Sequence, residues 1–170
     1  MAHRGKFDQP FREFEYAQLT FESVMDQGAY FEFKRHRMMT QTPQPLHDGL
    51  GFAVPRGIAE SGCGEIYIDA MRQAGDTFRK LKPSNPDVAS YIIPNGYNRR
   101  VLSTLNLRQA FNLIRLRAAS NAHFSIQRIA YQMAQDIQQV YPHFGKFLEI
   151  TPDTTWQQIE KDHFSVLALH

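Results

Sequence analysis

At 170 residues, 42% hydrophobic and 21% charged, the chain falls in the range of a single domain able to bury a substantial core. A formal net charge of +2 and a pI near 8.7 are too mild to argue for a nucleic-acid partner, while small anionic ligands remain compatible. No run approaches the roughly 18 apolar residues of a membrane span, and Met1–Lys6 lacks the apolar stretch of an export signal, so neither membrane insertion nor export is expected.

In chain order, the aromatic and β-branched stretch from Phe14 to Met25 predicts a strand. Asp26 is placed to cap a short helix running through Ala29 to Lys34. At the end of that helix stands Arg35-His36-Arg37, followed by Met38 to Gln44, which predicts extended chain ending at its prolines. In an extended segment Arg35 and Arg37 would project one way and His36 the other. On the tripeptide alone two readings stand: a clamp for a phosphate or other anion, or two solvated arginines flanking a histidine.

Residues 45–60 read as the principal loop. From Gly62 to Leu81 the apolar spacing predicts an amphipathic helix with a core-packing role. Cys63, at its start, is the only cysteine, which excludes an internal disulfide and a thiolate-rich metal site and favours a cytoplasmic setting. No base accompanies it in the sequence, so a free structural thiol is expected rather than a nucleophile. The seven histidines show no pair at the close helical spacing of zinc sites, and no metal is expected.

Pro83-Ser84-Asn85-Pro86 marks a turn, with Asn85 or Asp87 starting a short helix through Ser90 that Pro94-Asn95-Gly96 breaks. Tyr97-Asn98-Arg99-Arg100 adds two cations, for a ligand phosphate, for solvent or for another subunit. Thr104 to Arg117 reads as helix. Leu107, Phe111 and Ile114 form one apolar arc and Leu105, Leu113 and Leu116 another, with a seam of Asn106, Ala110 and Arg117 between them. A helix with apolar surface on two sides packs against two neighbours, so Arg117 should be sheltered and needs a partner. Arg108, Asn112 and Arg115 lie on a different stripe, and for Arg115 a wetted helix face is at least as good a reading.

The last long helix carries Ile126, Ile129, Ala130, Met133, Ile137 and Val140, with Ser120 or Asn121 as N-cap and Tyr141-Pro142 as the stop. Its free amides can receive an anion; His123 in its first turn reads equally as a ligand contact or as a capping or packing residue. Whether residues 149–170, with Trp156 and an apolar end, pack on this chain or on another subunit stays open. There is no internal repeat and no low-complexity segment. The pattern predicts an α+β chain.

Arg35-His36-Arg37, then Pro94 after Tyr91-Ile92-Ile93, then Asn106-Leu107-Arg108, Asn112, Leu116-Arg117 and Ala122-His123-Phe124-Ser125-Ile126 together resemble the flavin-dependent thymidylate synthase family. The resemblance runs over roughly residues 11 to 148. It implies one domain of that family's mixed fold with long C-terminal helices, and reductive methylation of dUMP to dTMP with methylenetetrahydrofolate, reduced FAD and NADPH. Arg35, His36, Arg37, Asn106, Arg108 and Asn112 would bind FAD, and Thr40 and Arg117 would contact the nucleotide. A homotetramer with sites formed between subunits is also implied. No acid, base or nucleophile is independently compelling.

The family pattern departs downstream of Arg37, where Ser, Asn, Ser and Arg are replaced by Thr40, Thr42, Pro45 and His47. Asp87 and Ser90 stand where the family has Glu and Arg, and Asn121 where it has a histidine. The flavin side is therefore better preserved than the substrate side. This keeps open a non-catalytic relative that binds flavin or nucleotide, or one structural half of a larger tandem protein.

Overall fold

The computed structural model describes residues 8–145 and 147–170, and the export-signal reading of Met1–Lys6 lies outside them. The chain folds as α+β, with a three-stranded antiparallel sheet ordered β1-β4-β2 and a two-stranded sheet β3-β5. β1 spans Gln18–Asp26, β2 Thr40–Pro43, β3 Phe52–Pro55, β4 Asn98–Asn106 and β5 Phe164–Leu169.

β1 starts later than its aromatic pattern suggests because Arg12–Tyr16 forms a 3-10 turn. That turn aims Phe14 edge-on at Phe111 and Phe144, with centroids 5.5 and 5.2 Å away, a packing that continued strand would not supply. Asp26 then caps α1 (Gln27–Phe33), its Oδ1 accepting from the Ala29 amide at 2.8 Å.

β4 corrects the expected extent of the helix over residues 104–117. Thr104, Leu105 and Asn106 end the central strand, and α5 occupies Leu107–Arg117 only. Leu105 is 1% exposed and satisfies a strand's inward face as well as a helix's apolar arc, so periodicity alone did not separate the two. Met25, Val101 and Leu105 meet Phe33 of α1, Leu107, Leu113 and Ile114 of α5, and Ile126, Ile129, Met133 and Ile137 of α6 (Phe124–Val140) in one core cluster. Each such aliphatic side chain contributes roughly 1.5–3 kcal/mol by leaving water. Leu116 is 44% exposed, so the second arc of α5 is only partly covered in this chain.

Residues 45–60 are not a plain loop. Phe52-Ala53-Val54 is a buried strand, and α2 (Arg56–Glu60) follows it. The partner of β3 is β5, so the C-terminal tail packs on its own chain, delivered there by α8 (Trp156–His163). α3 (Gly64–Leu81) covers this sheet with Met71 and Phe78, forming a second cluster with Phe52, Val54 and Tyr97. Gly75 permits that approach: a Cβ there would lie 2.6 Å from the Tyr97 hydroxyl, which itself donates to the Met71 carbonyl at 2.8 Å.

α4 (Pro86–Ser90) takes Asn85 as its cap, as the sequence suggests. α6 does not take Ser120 or Asn121; its cap is His123, whose Nδ1 accepts from the Ser125 amide at 3.3 Å. Pro142 ends α6 and opens a single turn, α7 (Pro142–Gly145). No helix among the described residues is long and apolar enough to cross a membrane.

Candidate functional site

α1 ends in a run of short-range backbone bonds: Lys34 to Tyr30, Arg35 to Glu32, His36 to Phe33 and Arg37 to Arg35, each amide donating to the named carbonyl. Arg35-His36-Arg37 is therefore a turn and not extended chain. The expected division of side chains holds through a different geometry, with Arg35 and Arg37 exposed and His36 half-buried. Neighbouring amides pin the turn: Gln109 Nε2 donates to the Met38 carbonyl at 2.8 Å and Gln41 Nε2 to the His36 carbonyl at 3.2 Å.

Arg117, at the last turn of α5, reaches the same place. Its Nε donates to His36 Nε2 at 3.1 Å and its Nη1 meets Glu32 Oε2 at 2.5 Å. The two charged side chains are 16% and 25% exposed. Burial, and then the Arg117 charge, push the His36 pKa down to about 4. The ring is thus neutral at pH 7, and since Nε2 accepts, Nδ1 carries the proton.

The other predicted ligands have local work. Asn106 caps α5 in a reciprocal box with Gln109, each side chain accepting from the other's amide at 2.9 Å. Arg108 donates to the Pro10 carbonyl at 3.2 Å and pairs with Glu15 at 2.7 Å, tying the N-terminal segment to α5. Arg108 and Arg117 are nine residues apart, two and a half turns, and so leave the helix on opposite sides. Asn112 is exposed and accepts from Arg115 at 3.0 Å. Thr40 is exposed in register with Thr104, whose hydroxyl meets that of Thr20 at 2.9 Å.

Within this chain, then, the fold brings His36 to Arg117 and does not bring Arg108, Asn112 or Thr40 to them. Sequence reasoning missed Glu32; its signal was a carboxylate four residues before His36, in the short helix expected to lead into the basic turn. Arg35 and Arg37 have no side-chain hydrogen bond or ion pair among the described residues, which fits them to an anionic ligand such as a phosphate. Arg99 is buried, its guanidinium over the Tyr30 ring at 4.4 Å, and Arg100 pairs with Glu22 at 2.8 Å.

The substituted positions are equally occupied. His47 Nδ1 accepts from the Gly49 amide at 2.9 Å and Ser90 Oγ donates to the Asp87 carbonyl at 2.7 Å, while Pro45 is exposed. Cys63 is a free, exposed thiol.

These features define an α+β chain built around a basic turn docked on a helix. Over residues 7–143 it matches the family described as thymidylate synthase complementing protein, and it belongs to that family. It is 33% identical over 138 residues to a UPF0159 protein of Chlamydia muridarum, an overlap of 81% of this chain and 26% of that protein. A UPF0159 protein of Thermoplasma acidophilum is 35% identical over 140 residues, 81% of this chain and 28% of its own length. A flavin-dependent thymidylate synthase of Saccharolobus solfataricus is 28% identical over 127 residues, 70% of this chain and 48% of that enzyme. The chain spans about a quarter of the length of the first two relatives.

Proposed function

We propose that the chain is a flavin-dependent thymidylate synthase-like segment that binds FAD and takes part in the reductive methylation of dUMP to dTMP. The observation that carries this reading is the contact of Arg117 with His36, which unites two motif blocks 81 residues apart around one partly open site. Arg35, His36 and Arg37 would hold the flavin together with Asn106, Arg108 and Asn112, and Arg117 and Thr40 would face the nucleotide. Bound and reduced by NADPH, FAD would supply the hydride, with methylenetetrahydrofolate as the one-carbon donor. The residues of this chain orient the rings and offset phosphate charge.

The opposite placement of Arg108 and Arg117 on α5 favours a site completed by another copy, consistent with a homotetramer in the cytoplasm. A second reading, a non-catalytic relative that keeps ligand binding, is favoured by Pro45, His47 and Ser90 and by the carboxylate already seated on Arg117. Incubation of the purified protein with FAD, NADPH, methylenetetrahydrofolate and dUMP tests the choice. Formation of dTMP is the expected result; flavin binding without dTMP would favour the second reading.

A further inference from the structure

Away from the basic turn, β3, α3 and the end of β5 frame a cavity of about 170 Å³. That is below the roughly 300–1,000 Å³ of sites for drug-sized ligands, so its occupant is small. Phe52, Tyr97 and Leu169 form its apolar side, and Tyr97 spends its hydroxyl on the Met71 carbonyl. α3 supplies the opposite wall through Arg72 and Arg79. Gly75 lies between them on the same helical face and keeps that wall bare, since a Cβ there would meet the Tyr97 hydroxyl.

The two arginines differ in what holds them. Arg79 is bridged by Asp48 and by Asp76, the latter at 2.5 Å. Two carboxylates on one guanidinium leave that end of the cavity with excess negative charge. Arg72 stands seven residues earlier, two turns and about 10 Å along the helix. It is exposed, and its guanidinium has no side-chain hydrogen bond or ion pair among the described residues, because Asp76, one turn away, is drawn to Arg79.

We infer that this cavity is a second ligand site, one that takes a small monocarboxylate with an apolar body. The carboxylate accepts from the free fork of Arg72, and the body lies against Leu169 and the tilted pair of Phe52 and Tyr97 rings, whose centroids are 5.3 Å apart. The excess charge beside Arg79 repels a second negative charge, so dianions are disfavoured. The site is independent of the flavin reading, for none of these residues belongs to the basic turn or to α5.

The test is an NMR titration of the isotope-labelled protein at about pH 8 with benzoate, and with inorganic phosphate and succinate at matched ionic strength. Saturable benzoate binding that moves the Gly75 and Leu169 amides, several-fold tighter than either dianion, is expected. Arg72→Met alters an exposed helix position and leaves folding intact. It should weaken benzoate roughly tenfold or more, because a charge-assisted donor is lost, whereas the double variant Arg35→Ala, Arg37→Ala should bind benzoate as the parent does. Absence of saturable benzoate binding, benzoate shifts confined to the basic turn, affinity indifferent to Arg72→Met, or dianions bound as tightly as benzoate would each overturn the inference.

Discussion

The Nε of Arg117 donates to Nε2 of His36 across 3.1 Å, joining the last turn of α5 to the turn that follows α1. That bond requires an unprotonated Nε2. Everything the site offers a ligand on this side depends on His36 staying neutral, and burial together with Arg117 keeps it so.

A pH dependence follows. The folded pKa of about 4 lies below the ordinary value of 6.5, so the unfolded chain takes up the proton first as pH falls. Stability from this group is complete above about pH 6.5, declines between 6.5 and 4, and is lost below 4. His36 is partly exposed, and after discounting for solvent screening the effect is about 1–2 kcal/mol. Denaturant unfolding across that range, compared with His36→Asn, should show the parent losing this increment and the variant not; parallel curves would contradict it.

Arg117→Met removes both the bond and the neighbouring charge. The His36 pKa should rise, yet remain below 6.5 because burial is the larger cause. Titration of the His36 ring signals by NMR reads this directly, and an unmoved pKa would mean the contact is absent in solution.

Asp26 joins three elements. Its Oδ1 caps α1 and its Oδ2 accepts from Ser125 Oγ in the first turn of α6. Asp26→Ala should cost roughly 2–4 kcal/mol and Asp26→Asn much less, because the amide oxygen can still cap. Equal losses in the two variants, measured by chemical denaturation, would exclude the capping account.

Arg99 differs from Arg128, the other buried arginine among the described residues. Arg128 has Glu160 at 3.7 Å, whereas among the described residues Arg99 meets only Gln27 Oε1, the Gln44 carbonyl and the Tyr30 ring. Burial lowers the pKa of both, opposed at Arg128 by the carboxylates of Glu160 and Asp26. A cation so placed adds little net stability. Arg99→Met should therefore fall within about 1 kcal/mol of the parent, and a loss of 3 kcal/mol or more would show that the guanidinium is a strong net contributor.

What the sequence showed was local chemistry. Asp26 and Asn85 announced helix starts because a short polar side chain before an apolar period satisfies free amides. α3 and α6 were legible from three-to-four spacing. β4 was not, since Asn98, Arg99 and Ser103 are polar yet buried, which erased the alternation that marks a strand. β3 was missed because three apolar residues between Gly51 and Pro55 suit a loop as well as a strand until β5 is known to lie beside them. The partners of Arg117 were hidden likewise: the need for one could be argued from its sheltered seam, but Glu32 stands 85 residues away and only the fold brings it near.

Arg35 and Arg37 carry the flavin side of the account. Both are exposed and unpaired among the described residues, so Arg35→Ala and Arg37→Ala should leave stability within about 0.5 kcal/mol. The central measurement is an FAD titration of the purified protein and of these two variants, read by flavin absorbance that remains with the protein through gel filtration. Saturable binding that weakens several-fold in each variant is the predicted result. A protein that stays colourless at saturating FAD, or one whose flavin affinity is indifferent to both substitutions, would contradict the assignment of the basic turn to the cofactor.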